Sequence, residues 1–288
     1  MDPTVQVFEA DATPIQRGLY DDVRTTFRAP IVNSIWRTLV AHEPELTRYV
    51  WGQIKPVFET REFAAFTVAF RDRVLAAAGS DLPLYDPGDV ELDPADFTEL
   101  RGQLATFDVV APRLAVLFCL LNRRLNEVPV GTDVEGAAAT EPFPEWLDRD
   151  RGRPPSMLSQ EAARDVVPDD LASSFGAMVP SIYRCLAQWP PYLEQATRDL
   201  RPVFESAAFE DVGTVAFDLA ETYLDRIPYT PRVDPDGLVD AGADVVTVAE
   251  LRDLLETFRA GGESILSLLH VYAATVGAEG EREGLVFG

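Results

Sequence analysis

Apolar residues recur at spacings of three and four through nearly every segment of the chain, as in Phe63, Phe66, Phe70 and Val74, and again in Leu100, Leu104 and Phe107. That is the period of a helix with one face turned inward. No convincing alternating run predicts a strand, so the expected fold class is all-α. Local punctuation agrees. Asp93, followed by Pro94 and Asp96, predicts an N-cap, a proline at the first helical position and an acid in the first turn. Thr247 with Glu250 predicts a capping box opening the helix of Leu251, Leu254, Leu255 and Phe258, and Gly79 is predicted to close the helix of Phe63.

The two halves of the chain echo one another. Ser34-Ile35-Trp36-Arg37-Thr38-Leu39 returns as Ser181-Ile182-Tyr183-Arg184-Cys185-Leu186. Pro56-Val57-Phe58-Glu59-Thr60, then Phe63, returns as Pro202-Val203-Phe204-Glu205-Ser206, then Phe209. Leu100-Arg101, Leu104 and Thr106-Phe107 return as Leu251-Arg252, Leu255 and Thr257-Phe258. Three collinear matches predict an internally duplicated helical bundle: repeat 1 over 15–133, an acidic linker rich in proline and glycine over 134–157, and repeat 2 over 158–280. A period this long differs from the short periods of solenoids, and the two repeats are expected to form one compact unit with pseudo-two-fold symmetry. A ligand pocket in such a bundle is expected where the halves meet.

Charge then narrows the partners. The 288 residues carry 48 acids against 25 bases, a net charge of −23. Nucleic acid and anionic membrane both bind through Lys and Arg, so neither is expected. Lys55 is the one lysine. Acids in excess with lysine almost absent match a proteome adapted to strong salt, where the Debye length falls to about 3 Å and self-repulsion is screened; the expected source is a halophilic archaeon. An acidic patch aimed at a basic partner is the competing reading, and the scatter of the acids argues against it. Cys119 and Cys185 stand alone in apolar surroundings and read as buried thiols of a reducing cytoplasm. The N-terminal residues lack the basic and apolar regions of a signal peptide.

Standard catalytic signatures are missing: the sequence has no HExxH, GxSxG, GxGxxG or GxxxxGK[ST], and its two histidines, His42 and His270, lie far apart. Neither a metal nor a cofactor is expected. His270 sits in an apolar helical run, where a core histidine is the plainer reading and a catalytic one the sharper. The repeated Arg37 and Arg184 are candidates to hold a carboxylate between the halves, against the plainer reading of surface guanidiniums beside core aromatics. Ser34 and Ser181 are candidates to line the same cleft, or simply open their helices. Asp218, Glu221 and Asp225 share a helix face and read as solvated.

Four segments, in order, resemble the group I 2-haloacid dehalogenases across nearly the whole chain: Leu19-Tyr20-Asp21-Asp22-Val23-Arg24-Thr25-Thr26-Phe27-Arg28-Ala29-Pro30, then Val128-Pro129-Val130-Gly131, then Leu186-Ala187-Gln188-Trp189-Pro190, then Ser267-Leu268-Leu269-His270. The resemblance implies an all-helical fold with an internal repeat. It also implies a reaction in which an aspartate activates water, the water attacks the substrate Cα directly, and halide leaves without a covalent enzyme ester. An asparagine assists and aromatic side chains shape the pocket.

Residue by residue, the resemblance gives a changed site. The family serine is matched by Ser181, but the aspartate that follows it is matched by Ile182. The assisting asparagine, just before a proline, is matched by Ala111, and a pocket tyrosine by Leu114. The family's tryptophan and phenylalanine are matched by Ile31 and Ser34. The expected pocket is therefore Ile31, Ser34, Arg37, Ala111, Leu114, Ser181, Ile182 and Arg184, with the base position apolar. Three functions follow as expectations: a diverged family member with its chemistry lost or changed, a hydrolase with a relocated polar group such as Asn33 or Asp108, or a non-catalytic protein binding a small carboxylic acid or a protein partner. The expected ligand is a small organic acid, and a homodimer is one candidate assembly.

Overall fold

A computed structural model of the chain describes residues 1–131, 137–172 and 179–288, with backbone alone at 137, 170 and 260–264. Thirteen α-helices run through the described residues, and no strand does; Thr60 and Pro142 make one isolated antiparallel bridge. The helices of the first half are α1 (Pro14–Phe27), α2 (Ser34–His42), α3 (Pro44–Ile54), α4 (Arg61–Ala78) and α5 (Pro94–Leu125). The second half holds α6 (Gln160–Arg164), α7 (Asp169–Ala172), α8 (Ser181–Leu186), α9 (Pro190–Phe204), α10 (Ala207–Glu210), α11 (Val212–Asp225), α12 (Pro235–Asp240) and α13 (Val245–Ala274). The fold is all-α, as the helical period predicts.

The positions matched by the sequence echo have matching local jobs. Thr60 caps α4 by accepting from the Phe63 amide, and Ser206 caps α10 by accepting from the Phe209 amide. Asp93 caps α5, with Pro94 and Asp96 where the sequence predicts them, and Asp244 caps α13. Here one expectation is corrected. α13 opens at Val245 and is capped by the Asp244 carboxylate accepting from the Thr247 amide, so Thr247 is inside the helix and does not cap it. Gly79 closes α4 with a φ of 89°, a conformation that favours glycine. Where α4 is continuous, the corresponding stretch of the second half breaks at Asp211 into α10 and α11.

The two long helices, α5 and α13, form the most extensive helix pair among the described residues. Phe118 of α5 stacks on Phe258 of α13 at 6.4 Å, while Asp108 of α5 meets His270 of α13. Rising numbers on one helix thus pair with falling numbers on the other, and the helices run antiparallel. α5 is apolar and long enough to cross a bilayer, yet 94% of that stretch is buried inside the protein, which makes it a core helix. Around it, Phe27, Trp51, Phe58, Phe63, Phe66 and Tyr223 form a chain of edge and stacked ring contacts at 5.0–6.4 Å, linking α1, α3 and α4 to α11. Such pairs add about 0.5–1.5 kcal/mol each beyond their burial.

Candidate functional site

The densest polar chemistry in the interior is a cluster where α4, α5 and α13 meet the 142–156 segment and the chain's last residues. Asp108 of α5 accepts from four donors: the Arg71 Nε at 3.1 and 3.0 Å, the Arg151 guanidinium at 3.0 Å, the Gly280 amide at 3.0 Å and His270 Nδ1 at 2.6 Å. Asp148 accepts from Arg113 at 2.9 Å, Arg151 at 3.2 Å and Arg71 at 3.3 Å. The side chains of Arg71, Asp108, Arg113, Asp148 and His270 are all 0% exposed. Charges this deep persist because each is paired and hydrogen-bonded.

The protonation states follow from these partners. Burial pushes the Asp108 carboxyl up, but Arg71, His270 and Arg151 outweigh it and hold the group far below the usual carboxylate range. Asp148 is held down in the same way by Arg71, Arg113 and Arg151. For His270, burial lowers the pKa and dominates the opposing pull of Asp108. The imidazole is therefore neutral near pH 7 beside an ionised acceptor. Nδ1 must carry the proton it donates to Asp108, which leaves Nε2 with a bare lone pair. Among the described residues, the buried Nε2 has no hydrogen-bond partner, and neither has the buried Ser267 hydroxyl one turn earlier on α13. The Phe70 ring packs edge-on against the imidazole at 5.4 Å.

Beside the cluster opens a cleft of about 630 Å³ between the 142–156 segment and residues 279–283, floored by Asp148 and Arg151 and flanked by Trp146 and Asp72. None of the eight residues predicted to form the pocket lines it. Ile182 and Ala111 are fully buried in the apolar core. Ile31 and Leu114 are half-buried against it. Ser34 and Ser181 stand exposed as the first residues of α2 and α8. Arg37 pairs with Glu9 at 2.8 Å and lies over the Phe8 ring, and Arg184 donates to the Leu158 carbonyl at 2.8 Å. The paired guanidiniums thus have partners of their own. Asn33 is the unbonded N-cap position of α2. Asp108, the other candidate for a displaced polar group, has every oxygen committed to a donor.

Sequence reasoning missed Arg71, Arg113, Asp148, Arg151 and Gly280. A signal existed for the first two, because both fall on helix faces otherwise occupied by core residues. The segment read as a linker supplies Asp148 and Arg151, so it is structural. Gly280 is required at its place: a Cβ there would sit 2.2 Å from Arg151 and 2.7 Å from the Arg71 guanidinium carbon.

Comparison with known proteins agrees with this architecture. Residues 30–162 match a family model described as "Halocarboxylic acid dehydrogenase DehI". An (R)-2-haloacid dehalogenase of Pseudomonas putida is 23% identical over 254 residues, covering 84% of this chain and 82% of the relative. Two solved structures share the fold. A D-2-haloacid dehalogenase mutant in complex with D-2-CPA superposes with a TM-score of 0.80 at 20% identity, covering 94% of each chain. A further D-2-haloacid dehalogenase mutant gives 0.77 at 22% identity and 95% of each chain. The chain thus shares the fold of solved D-2-haloacid dehalogenase structures over nearly its whole length.

Proposed function

We propose that this chain is a diverged 2-haloacid dehalogenase, internally duplicated, in which the carboxylate route of the family has been lost. One observation carries the reading: the position that the resemblance assigns to the base holds Ile182, fully buried, and the position of the assisting amide holds Ala111, equally buried. An isoleucine accepts no proton, and Asp108, the nearest carboxylate along α5, is held by four donors and kept from protonation. A positioned base contributes about 10²–10⁴ in rate.

The test compares bromide release from each enantiomer of 2-bromopropionate, in high salt, by the chain as it stands and by the Ile182→Asp/Ala111→Asn double variant. A gain of about 100-fold or more in the folded variant is expected. Equal rates, with the helical CD spectrum retained, would refute the reading. The same apolar replacements favour a second reading, a non-catalytic protein binding a small carboxylic acid. Saturable thermal stabilisation by such acids with no product from the haloacids distinguishes it.

A further inference from the structure

The stretch that follows α13 is bound differently from the rest of the molecule. Up to Ala278 it is held by backbone hydrogen bonds, the last from the Ala278 amide to the Ala273 carbonyl at 2.8 Å. Beyond that, among the described residues, none of residues 279–288 makes a backbone–backbone hydrogen bond, and only Gly280, Leu285 and Phe287 are even half-buried. Side chains from below hold this strap at three places. Near its start, Asp108 accepts from the Gly280 amide at 3.0 Å and Arg71 donates to the Glu281 carbonyl at 2.7 Å. In its middle, the exposed Arg282 pairs with Asp72 of α4 at 2.8 Å. Further on, the Phe287 ring meets Phe66 edge-on at 6.0 Å, with the Arg226 guanidinium over it at 5.4 Å. Gly284, with a φ of 87°, turns the backbone between the last two holds. A segment with few buried contacts and no ladder of its own opens well below the free energy of global unfolding.

The strap's position makes such opening consequential. Residues 279–283 line the cleft together with Trp146, Leu147, Asp148 and Arg151. The carboxylate that holds the Gly280 amide also accepts from His270 Nδ1 at 2.6 Å, so one side chain separates the strap from the imidazole. A row of rings makes a second link: Phe287 touches Phe66, Phe66 touches Phe70 at 5.7 Å, and Phe70 touches His270 at 5.4 Å. We propose that residues 279–288 form a hinged strap which, by lifting from α4, joins the cleft to the buried Asp108–His270 pair, and which seals that pair from solvent when closed. The hinge lies just past Gly277 and Ala278, whose carbonyls are pinned by Arg101 at 2.8 Å and by Arg151. Lifting leaves α4, α5 and α13 intact. It takes the Gly280 amide from Asp108 and the Glu281 carbonyl from Arg71, and water entering through the cleft replaces both. The strap acts without any haloacid chemistry, so it stands or falls apart from the proposed function.

The test is exchange of the carbon-bound Cε1 hydrogen of histidine into deuterated solvent, read by mass spectrometry on the full chain in molar salt. Exchange at this position requires a ring that water reaches, and His42 of α2 is the internal reference. Phe287→Ala removes the ring contact and the cation–π contact, and exchange at His270 is expected to quicken by about 10-fold. Gly284→Ala adds a methyl that meets nothing within 4 Å, so it acts through φ alone and should quicken exchange by roughly 5-fold or more. The His42 rate and the amide exchange of α5 and α13 should stay as in the native chain. Two results overturn the proposal: folded variants whose His270 exchanges at the native rate, or quickening shared by the amides of α5 and α13, which would mark a general loosening of the core. If Phe287→Ala does not fold, Gly284→Ala decides alone.

Discussion

Replacing Asp148 by Asn removes one of the two carboxylates that neutralise the fully buried guanidinium groups of Arg71 and Arg113 and the partly buried one of Arg151. Asp148 takes hydrogen bonds from Arg113, Arg151 and Arg71 at 2.9–3.3 Å, and its side chain is fully buried. After the change, Arg113 retains the Val109 carbonyl and the faces of Phe63 and Phe143 at 5.7 Å, none of which carries a charge. Breaking a buried pair in this way costs about 3–5 kcal/mol. At about 2–4 °C per kcal/mol for a chain of this size, the melting temperature should fall by roughly 6–20 °C. An exposed pair provides the contrast. Glu45→Gln, which breaks the contact of Glu45 with Arg48 at 2.9 Å, should cost under about 1 kcal/mol. Salt separates the two further, because screening reaches the exposed pair and not the buried one. Thermal melts of both variants at two salt concentrations are the assay. If Asp148→Asn melts within a degree or two of the native chain, the cluster is not the internal clasp inferred from its geometry.

Stability should also depend on pH with a predictable sign. Asp108 and Asp148 have depressed carboxyl values in the folded state, so their stabilisation is present above about pH 4 and is lost as pH falls towards those lower values. His270 is lowered too, and below about pH 6.5 the unfolded chain binds a proton that the native imidazole refuses, so stability declines by up to about 1.4 kcal/mol per pH unit. A denaturant series from pH 8 to 4 tests this, and His270→Gln should flatten the limb below pH 6.5. Gly280→Ala should cost about 1–3 kcal/mol, since Arg151 and Arg71 stand within 2.7 Å of the new methyl, with faster amide exchange over residues 278–287 as the readout. Asp244→Ala should cost about 1 kcal/mol through the lost cap, measurable by chemical denaturation, whereas Thr247→Ala should cost less. With a net charge of −23, the chain should lose helical CD signal on dilution from molar salt into weak buffer, and an unchanged spectrum would count against the halophilic reading.

Much of the fold is written in short-range patterns. The periods of Phe63 to Val74 and Leu100 to Phe107, the cap at Asp93 and the stop at Gly79 all depend on neighbours within a turn or two, and the structure has them where the sequence puts them. The start of α13 escaped because Asp244 and Thr247 both satisfy the grammar of a cap, and only the backbone decides between them. The cluster escaped for a different reason. Its members come from five separated stretches, and one of those, around Asp148 and Arg151, has the composition of a tether. Arg71 next to Phe70, and Arg113 one residue past Pro112, are single charges in apolar helices; they hint at burial and do not identify a partner. His270 illustrates the limit well. Its apolar neighbours indicate a core position, but only the contact with Asp108 fixes which nitrogen is occupied and which is bare.

The partners of Asp108 also impose a schedule on synthesis. His270 lies 162 residues after it and Gly280 172 residues after it. At translation rates of about 5–20 residues per second, the carboxylate waits roughly 10–30 s between its own emergence and the arrival of those two donors. Through that interval the first half has a charged group at the centre of its longest helix with at least two of its four donors still to come. A nascent chain stalled before residue 270 should therefore remain open to protease at α5, and should become resistant only when the distant donors have been made.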